Sequence, residues 1–293
     1  MNKIRSFLIK KRKLPRKFVV DFIVVCFCFS CFLVYDNFSL DIEKIKIEDT
    51  KAENLKGLKI AHISDYHNRK SEITNKAIFK ALDEENPDLI FITGDLIDKS
   101  KTDIDTSLSF VSELCEYTSV YYVTGNHECN VSIEDQNAFD DMIKSLQNMG
   151  VFVLRQSTES VILPNDSKVN IYGIDDPYFH CSYSYEIDGA SSALCDGFKI
   201  DKNEYNILLA HHPEQLPVYA EYGFDLVFSG HAHGGQGRII NQGLIAPDQG
   251  FFPVYTGGEY KEGNTTLILS RGIGNSIIPV RVFNKPHLIF VEF

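Results

Sequence analysis

The sequence has no internal repeat and no low-complexity tract, which excludes repeat architectures. Cys115, Cys129, Cys181 and Cys195, the four cysteines outside its first forty residues, nowhere take zinc-ribbon spacing. It has one long apolar run, near its start, so a polytopic membrane protein is excluded. The first 17 residues contain no acid at all. What is present is ordinary for a folded chain: 44% hydrophobic and 24% charged residues over 293 positions. That composition excludes a disordered or collagen-like chain and fits one large domain or two small ones.

Charge is unevenly placed. Lys3, Arg5, Lys10, Lys11, Arg12, Lys13, Arg16 and Lys17 give the head (1–17) a local +8 within a net charge of -11, so the remainder carries -19. A body that acidic repels nucleic-acid phosphates, and no nucleic-acid partner is expected. Phe18 to Tyr35 form an apolar run of 18 residues, about 27 Å as a helix, enough to cross a hydrocarbon core. Asp21 is its one charge and lies near the basic end. Segment 18–36 therefore reads as a single-pass anchor in the cell membrane. The cation excess places the N-terminus in the cytoplasm and the rest outside. A cleaved signal peptide is the rival reading, but no small-x-small cleavage site is evident and Cys31 lacks a lipobox.

Residues 37–57 are polar and read as a tether, leaving 58–293 as the folded domain. Strands are expected at 58–64, 88–93, 120–124, 151–154, 169–172, 205–210, 225–229, 267–270, 280–283 and 288–293, with helices at 72–85, 103–116 and 134–149. This alternation indicates an α/β domain with largely parallel inner strands. Residues 175–204, rich in Tyr, Ser, Gly and Asp, read as a surface loop near a site. Outside the anchor lie Cys115, Cys129, Cys181 and Cys195. Disulfides are permitted outside the cytoplasm, with 181–195 and 115–129 among three connectivities left open.

Five polar clusters each begin where an apolar strand ends. They are Asp65-Tyr-His67, Gly94-Asp-Leu-Ile-Asp98, Gly125-Asn-His-Glu128, His211-His-Pro213 and Gly230-His-Ala-His233. In α/β sheets the carboxyl ends of parallel strands share one rim, where ligands bind. Imidazole, carboxylate and amide oxygen together suit Zn²⁺, Mn²⁺ or Fe²⁺. The donor count exceeds the need of one tetrahedral ion and suits two ions sharing a carboxylate. His62 alternates inside a strand and reads as a satisfied core residue. Arg271 reads equally as a phosphate grip or a salt-bridge partner. Tyr178 and His180 read as surface loop, with a place at a substrate entrance as the sharper alternative.

The ordered set Asp-x-His, Gly-Asp-x-x-Asp, Gly-Asn-His-Glu, His-x-Pro and Gly-His-x-His resembles the calcineurin-like metallophosphoesterase superfamily. Gly230 to Gln236, Ser270 to Gly274 and Pro279 to Arg281 further resemble its bacterial membrane-anchored, YkuE-like phosphodiesterase branch. The resemblance covers about 58–293. It implies a two-sheet β-sandwich flanked by helices, with two divalent metals at one edge. By the resemblance, Asp65, His67 and His233 hold one ion, Asn126, His211 and His231 the other, and Asp95 bridges them. His211 is preferred to His212 because it fills the first position of His-x-Pro. His127 resembles the catalytic, non-ligand histidine. Asp98 resembles the carboxylate that orients it, with a helix N-cap as its plainer reading.

The implied reaction is attack of a metal-bridging hydroxide on a phosphate ester, phosphodiesters first, the substrate being possibly lipid- or envelope-linked. His127 then protonates the leaving oxygen or steadies its charge. Two other readings stand beside it. One is a pyrophosphatase on a nucleotide-linked lipid precursor, like UDP-2,3-diacylglucosamine hydrolase, whose substrate lies on the opposite membrane face. The other is a non-catalytic protein-binding scaffold, which typically lacks the histidine that His127 supplies here.

Overall fold

The computed structural model describes residues 15–163, 165–275 and 279–293. Most of the basic head, residues 1–14, lies outside the described residues. Helix α1 (Arg16–Phe38) leads into β1 (Asp41–Lys46). Then come β2 (Lys59–Ile63), α2 (Glu72–Glu85), β3 (Leu89–Thr93), α3 (Ile104–Leu114) and β4 (Ser119–Val123). Helices α4 (Asn126–Glu134) and α5 (Gln136–Asn148) precede β5 (Phe152–Val153), β6 (Ser157–Ile162) and β7 (Lys168–Gly173). After α6 (Ile187–Cys195) follow β8 (Tyr205–Leu209), α7 (Leu216–Tyr222) and β9 (Leu226–Ser229). Two short hairpins come next: β10 (Arg238–Ile239) with β11 (Gln242–Gly243), and β12 (Ile245–Ala246) with β13 (Gly250–Phe251). Strands β14 (Gly258–Glu262), β15 (Thr265–Leu269) and β16 (His287–Glu292) complete the chain.

Two six-stranded sheets form, in the orders β1-β16-β2-β3-β4-β5 and β14-β15-β9-β8-β7-β6. Strands β2 to β5 are mutually parallel, as are β7, β8, β9 and β15. Both faces of the central strands are covered, which is why their sequences are continuous apolar runs. Ile60, Phe91, Val123, Ile207, Leu209 and Phe228 face each other between the sheets. The alternate residues Ala61, Ile63, Ile90 and Ile92 face α2, α3 and α5, where Leu82, Phe110 and Phe139 pack. On the far side Leu208 and Val227 meet Leu194 of α6 and Tyr219 of α7. This is the expected helix-flanked sandwich.

Several local expectations change. Much of the expected tether is built into the fold: β1 pairs in parallel with β16, from Asp41 with His287 to Lys46 with Glu292. Only Ile45 of β1 is buried, so this edge strand looks polar in sequence. The helix expected at 134–149 is two, because Asp135 ends α4 and its side chain caps α5 through the Ala138 N–H. Residues 280–283 form no strand; Val282 makes a single bridge to Gly237 while Arg281 turns inward and is buried. The 175–204 segment is half structure, since α6 buries Ile187, Ala190 and Leu194 at helical spacing and packs Leu194 and Cys195 onto the second sheet. All seven cysteines are free. His62 is core, its Nε2 2.8 Å from Thr93 Oγ1. Arg271 takes the salt-bridge role, paired with Asp41.

Helix α1 is long and apolar enough to be a candidate membrane span, and none of its apolar stretch is buried. Its last turn is fastened to the domain. Asn37 Nδ2 donates to the Arg281 carbonyl at 2.9 Å, and the Arg281 N–H donates to Asn37 Oδ1 at 2.8 Å. The Asn284 N–H donates to Asp36 Oδ2 at 3.0 Å. Asn37→Ala leaves the Arg281 amide and carbonyl unpaired in a dry place. It should cost about 2–3 kcal/mol of stability, read as a lower urea midpoint of the full chain in detergent. An unchanged midpoint would mean the helix end is not docked this way.

Candidate metal centre

Five strand ends meet at one edge of the sandwich. The Asp65 N–H donates to the Gly94 carbonyl at 3.1 Å, and the His67 N–H to the Asp95 carbonyl at 3.0 Å. In the second sheet the Gly230 N–H donates to the His211 carbonyl at 3.1 Å. Hydrogen bonds also cross between the sheets. The His231 N–H donates to Asp65 Oδ1 at 3.1 Å, and His211 Nδ1 lies 2.7 Å from the Thr93 carbonyl, to which it donates.

These tips turn sharply. Asp65, His67, Asp95, His231 and His233 all hold φ between 47° and 68°. Left-handed backbone costs a non-glycine residue roughly 1 kcal/mol or more and tends to gather at functional sites. Gly230 has a different role, close approach. A Cβ there would lie 1.9 Å from Ser64 Oγ and 2.3 Å from Asp65 Oδ2. Gly230→Ala should therefore push the Asp65 carboxylate out of place and weaken metal binding by roughly 10–100-fold. Metal content after gel filtration checks this, with circular dichroism expected to be unchanged. Wild-type metal content in the variant would contradict it.

The side chains converge on Asp95. His67 Nε2 lies 3.6 Å and His211 Nε2 3.3 Å from Asp95 Oδ2. His233 Nε2 is 3.3 Å from Asp65 Oδ1 and 3.3 Å from His67 Nε2. His231 Nδ1 is 3.1 Å from Asn126 Oδ1. Two donor groups result: Asp65, His67, Asp95 and His233; and Asp95, His211 and His231. All are buried. The seven residues expected as ligands are thus together, and the donor set fits divalent cations. His211 Nε2 is buried and lacks a hydrogen-bond partner. Burial pushes the His67 ring down to about 3 and His233 well below its ordinary value, the latter with His67 as a second cause. Both rings are therefore neutral, with lone pairs to offer, as metal ligation requires. Burial opposes protonation of His211, but the Asp95 carboxylate outweighs it and lifts that ring to about 10. A cation beside Asp95 would satisfy the same carboxylate.

His127 lies in the first turn of α4, its N–H donating to Asp95 Oδ1 at 2.8 Å. Its Nδ1 accepts the Lys99 N–H at 3.0 Å, which leaves the proton on Nε2. Asp98 does not hydrogen-bond this ring, correcting its expected orienting role. It lies 3.9 Å from His127 Nδ1 and accepts from the Ser100 N–H at 2.7 Å instead. The N-cap of α3 is Asp103, not Asp98. A backbone N–H holds His127, and Asp98 acts on it only as a nearby charge.

Three features escaped sequence reasoning. Glu128, fully buried, accepts the N–H groups of Asp95 at 2.9 Å, Ile97 at 3.1 Å and Gly125 at 2.7 Å, tying two tips together. Burial, then the neighbouring Asp95, pushes its carboxyl up to about 7. His212 is clasped between Asp176 at 2.9 Å and Glu214 at 2.5 Å. Burial alone would lower its pKa, but the two carboxylates raise it well above the ordinary value. Asp248 lies 2.8 Å from His231 Nε2, leaving Nδ1 to face Asn126. It also accepts from the Tyr178 hydroxyl at 2.8 Å. Tyr178 and His180 line an open cleft of about 750 Å³ with Lys99, Asn126, His231 and Asp248. His180 is exposed, as the surface-loop reading expects, and both side chains face the cleft.

A buried cage of carboxylates and imidazoles at the strand ends of a two-sheet sandwich defines a metallophosphoesterase. The chain belongs to the calcineurin-like phosphoesterase family, which matches residues 58–235. It is 30% identical over 233 residues to the metallophosphoesterase YkuE of Bacillus subtilis, covering 78% of this chain and 74% of that one. To the metallophosphoesterase Cj0846 of Campylobacter jejuni it is 31% identical over 275 residues, covering 90% and 67%. To the phosphodiesterase YaeI of Escherichia coli it is 26% identical over 253 residues, covering 82% and 83%. The chain is a phosphoester hydrolase of a family that works with divalent metals.

Proposed function

We propose that the chain is a membrane-anchored, extracytoplasmic phosphoesterase that uses two divalent ions and cleaves phosphodiesters. The observation that supports this most directly is the place of Asp95, whose carboxylate belongs to both donor groups. Asp65, His67 and His233 complete one ligand set with it, and Asn126, His211 and His231 the other. Manganese, zinc and iron(II) suit these donors. Two such ions supply Lewis-acid charge and a water acidic enough to ionise near pH 7.

The chain's own groups do the rest. Asp65 and Asp95 bring two negative charges, and the amide and imidazoles bring none, so the loaded cage keeps a positive surplus for a phosphate. His127 Nε2–H points a donor at the oxygen that gains charge as the ester breaks. Because Nδ1 already accepts the Lys99 N–H, the ring's one donor, at Nε2, steadies that oxygen by a hydrogen bond. Lys99 stands on the cleft wall, placed to meet the phosphate's remaining charge. A cleft of about 750 Å³ leaves room for a substituent on each side of phosphorus, and the relative YaeI is named a phosphodiesterase. Anchoring is supported by α1, and its direction by the cations of the head.

The full chain in detergent, assayed on a phosphomonoester and a phosphodiester, tests the proposal. Chelation should abolish diester cleavage and Mn²⁺ restore it. Activity indifferent to chelation removes the metal role, and a monoester preference removes the substrate class. Protease protection on intact cells reads which side the domain occupies.

A further inference from the structure

The chain exposes a set of large apolar side chains around one small region. Ile240 is 90% exposed, Phe251 79%, Val254 73%, Phe252 68%, and Ile239 and Phe283 62% each. The segments that carry them are joined by hydrogen bonds. The Arg238 N–H donates to the Val282 carbonyl at 2.9 Å, setting β10 beside the segment that carries Phe283. Gln242 Nε2 donates to the Pro253 carbonyl at 2.9 Å, and the Phe252 N–H to the Leu244 carbonyl at 2.9 Å, joining the two hairpins. Isolated apolar residues on a surface mean little, but a contiguous set marks an interaction surface.

The backbone adds a second sign. Ile240, Phe252 and Phe283 sit at φ of 59°, 53° and 54°. These are left-handed positions where glycine or asparagine is at ease and a β-branched or aromatic residue is strained. The chain thus accepts both exposure and strain to present apolar groups at these turns.

The face is continuous with α1. The Phe283 ring lies 4.8 Å from the ring of Phe32, inside the helix. Beside it Lys285 Nζ sits 4.5 Å from the centre of the Tyr35 ring. A tyrosine and a lysine together at the end of an apolar helix are the usual markers of a membrane–water boundary. The paired bonds of Asp36 and Asn37 with residues 281–284 fix this boundary relative to the domain.

We infer that the face formed by Ile239, Ile240, Phe251, Phe252, Val254 and Phe283 inserts into the lipid surface beside the anchor. This rests on the anchored reading of α1 proposed above. The insertion has a consequence for the site. Asp248, which holds His231 and Tyr178, lies in the turn between β12 and β13, and Phe251 ends β13. One hairpin therefore carries both the lipid face and a wall of the cleft. A phosphoester borne in the lipid headgroup layer is the substrate class this arrangement serves.

The chain has no tryptophan, so single substitutions report single places. The full chain is reconstituted in phosphatidylcholine–phosphatidylglycerol vesicles with or without brominated acyl chains. Three variants are compared: Phe251→Trp, Phe27→Trp within α1, and Ile162→Trp on exposed β6. The first two should be quenched by brominated lipid to roughly half or less, as apolar groups lodged at the acyl boundary are, and the third unaffected. Quenching at 27 but not at 251 overturns the inference and leaves the anchor standing. Absence of quenching at 27 removes the anchor and this inference with it. Emission at 251 that shifts with protein concentration, without lipid quenching, assigns the face to a second copy and also overturns it.

Discussion

Asp95→Ala is expected to lower kcat/KM on a phosphodiester by at least about a thousandfold, roughly 4 kcal/mol of transition-state stabilisation. The size follows from position. The same carboxylate stands 3.6 Å from His67, 3.3 Å from His211 and 2.8 Å from the His127 N–H. Its removal takes the shared donor from both ligand sets and unfastens the start of α4. Asp95→Asn separates these contributions. The amide oxygen can still accept the His127 N–H, so the fold is kept while the charge is lost. The same order of loss is expected with a normal circular dichroism spectrum. Steady-state kinetics beside metal analysis check both variants. A variant that loses rate but keeps two ions would mean that Asp95 acts on substrate and not as a ligand.

The second large effect is at His127. His127→Ala should cost about a hundredfold while bound metal stays unchanged, since His127 is in neither ligand set. The bond from the Lys99 N–H leaves the ring one donor, at Nε2. His127→Gln, which keeps a side-chain N–H, should then recover part of the rate, which a true proton-giver would not allow. Full activity in His127→Ala on a poor leaving group would remove the residue from the reaction. No recovery in His127→Gln would favour proton transfer over hydrogen bonding.

How far the sequence revealed all this depends on burial. β2, β3, β4, β8 and β9 were legible because each is covered on both faces, which forces an apolar run that ends abruptly at a polar tip. The cage was legible for the same reason, as its donors sit directly after those runs. Helix α4 was not, because Asn126 to Glu134 has no apolar stripe and buries Glu128 and Cys129 for the site's sake. Strand β1 was hidden by alternation with charge along an edge. Val280 to Phe283 looked like a strand, yet Arg281 spends its hydrogen bonds on the carbonyls of Arg271 and Gly274. Asp248 carried no signal at all, since it belongs to no strand end and reaches His231 only through the fold. The choice of His211 over His212 came from motif position, and its physical basis is the clasp of His212 by Asp176 and Glu214.

The most direct test of the account is anomalous diffraction from crystals of the full chain grown with Mn²⁺. It should show two ions about 3.5–4 Å apart, with Asp95 between them, His67 and His233 on one and His211 and His231 on the other. A single ion at full occupancy, or two ions that share no Asp95 oxygen, would contradict it.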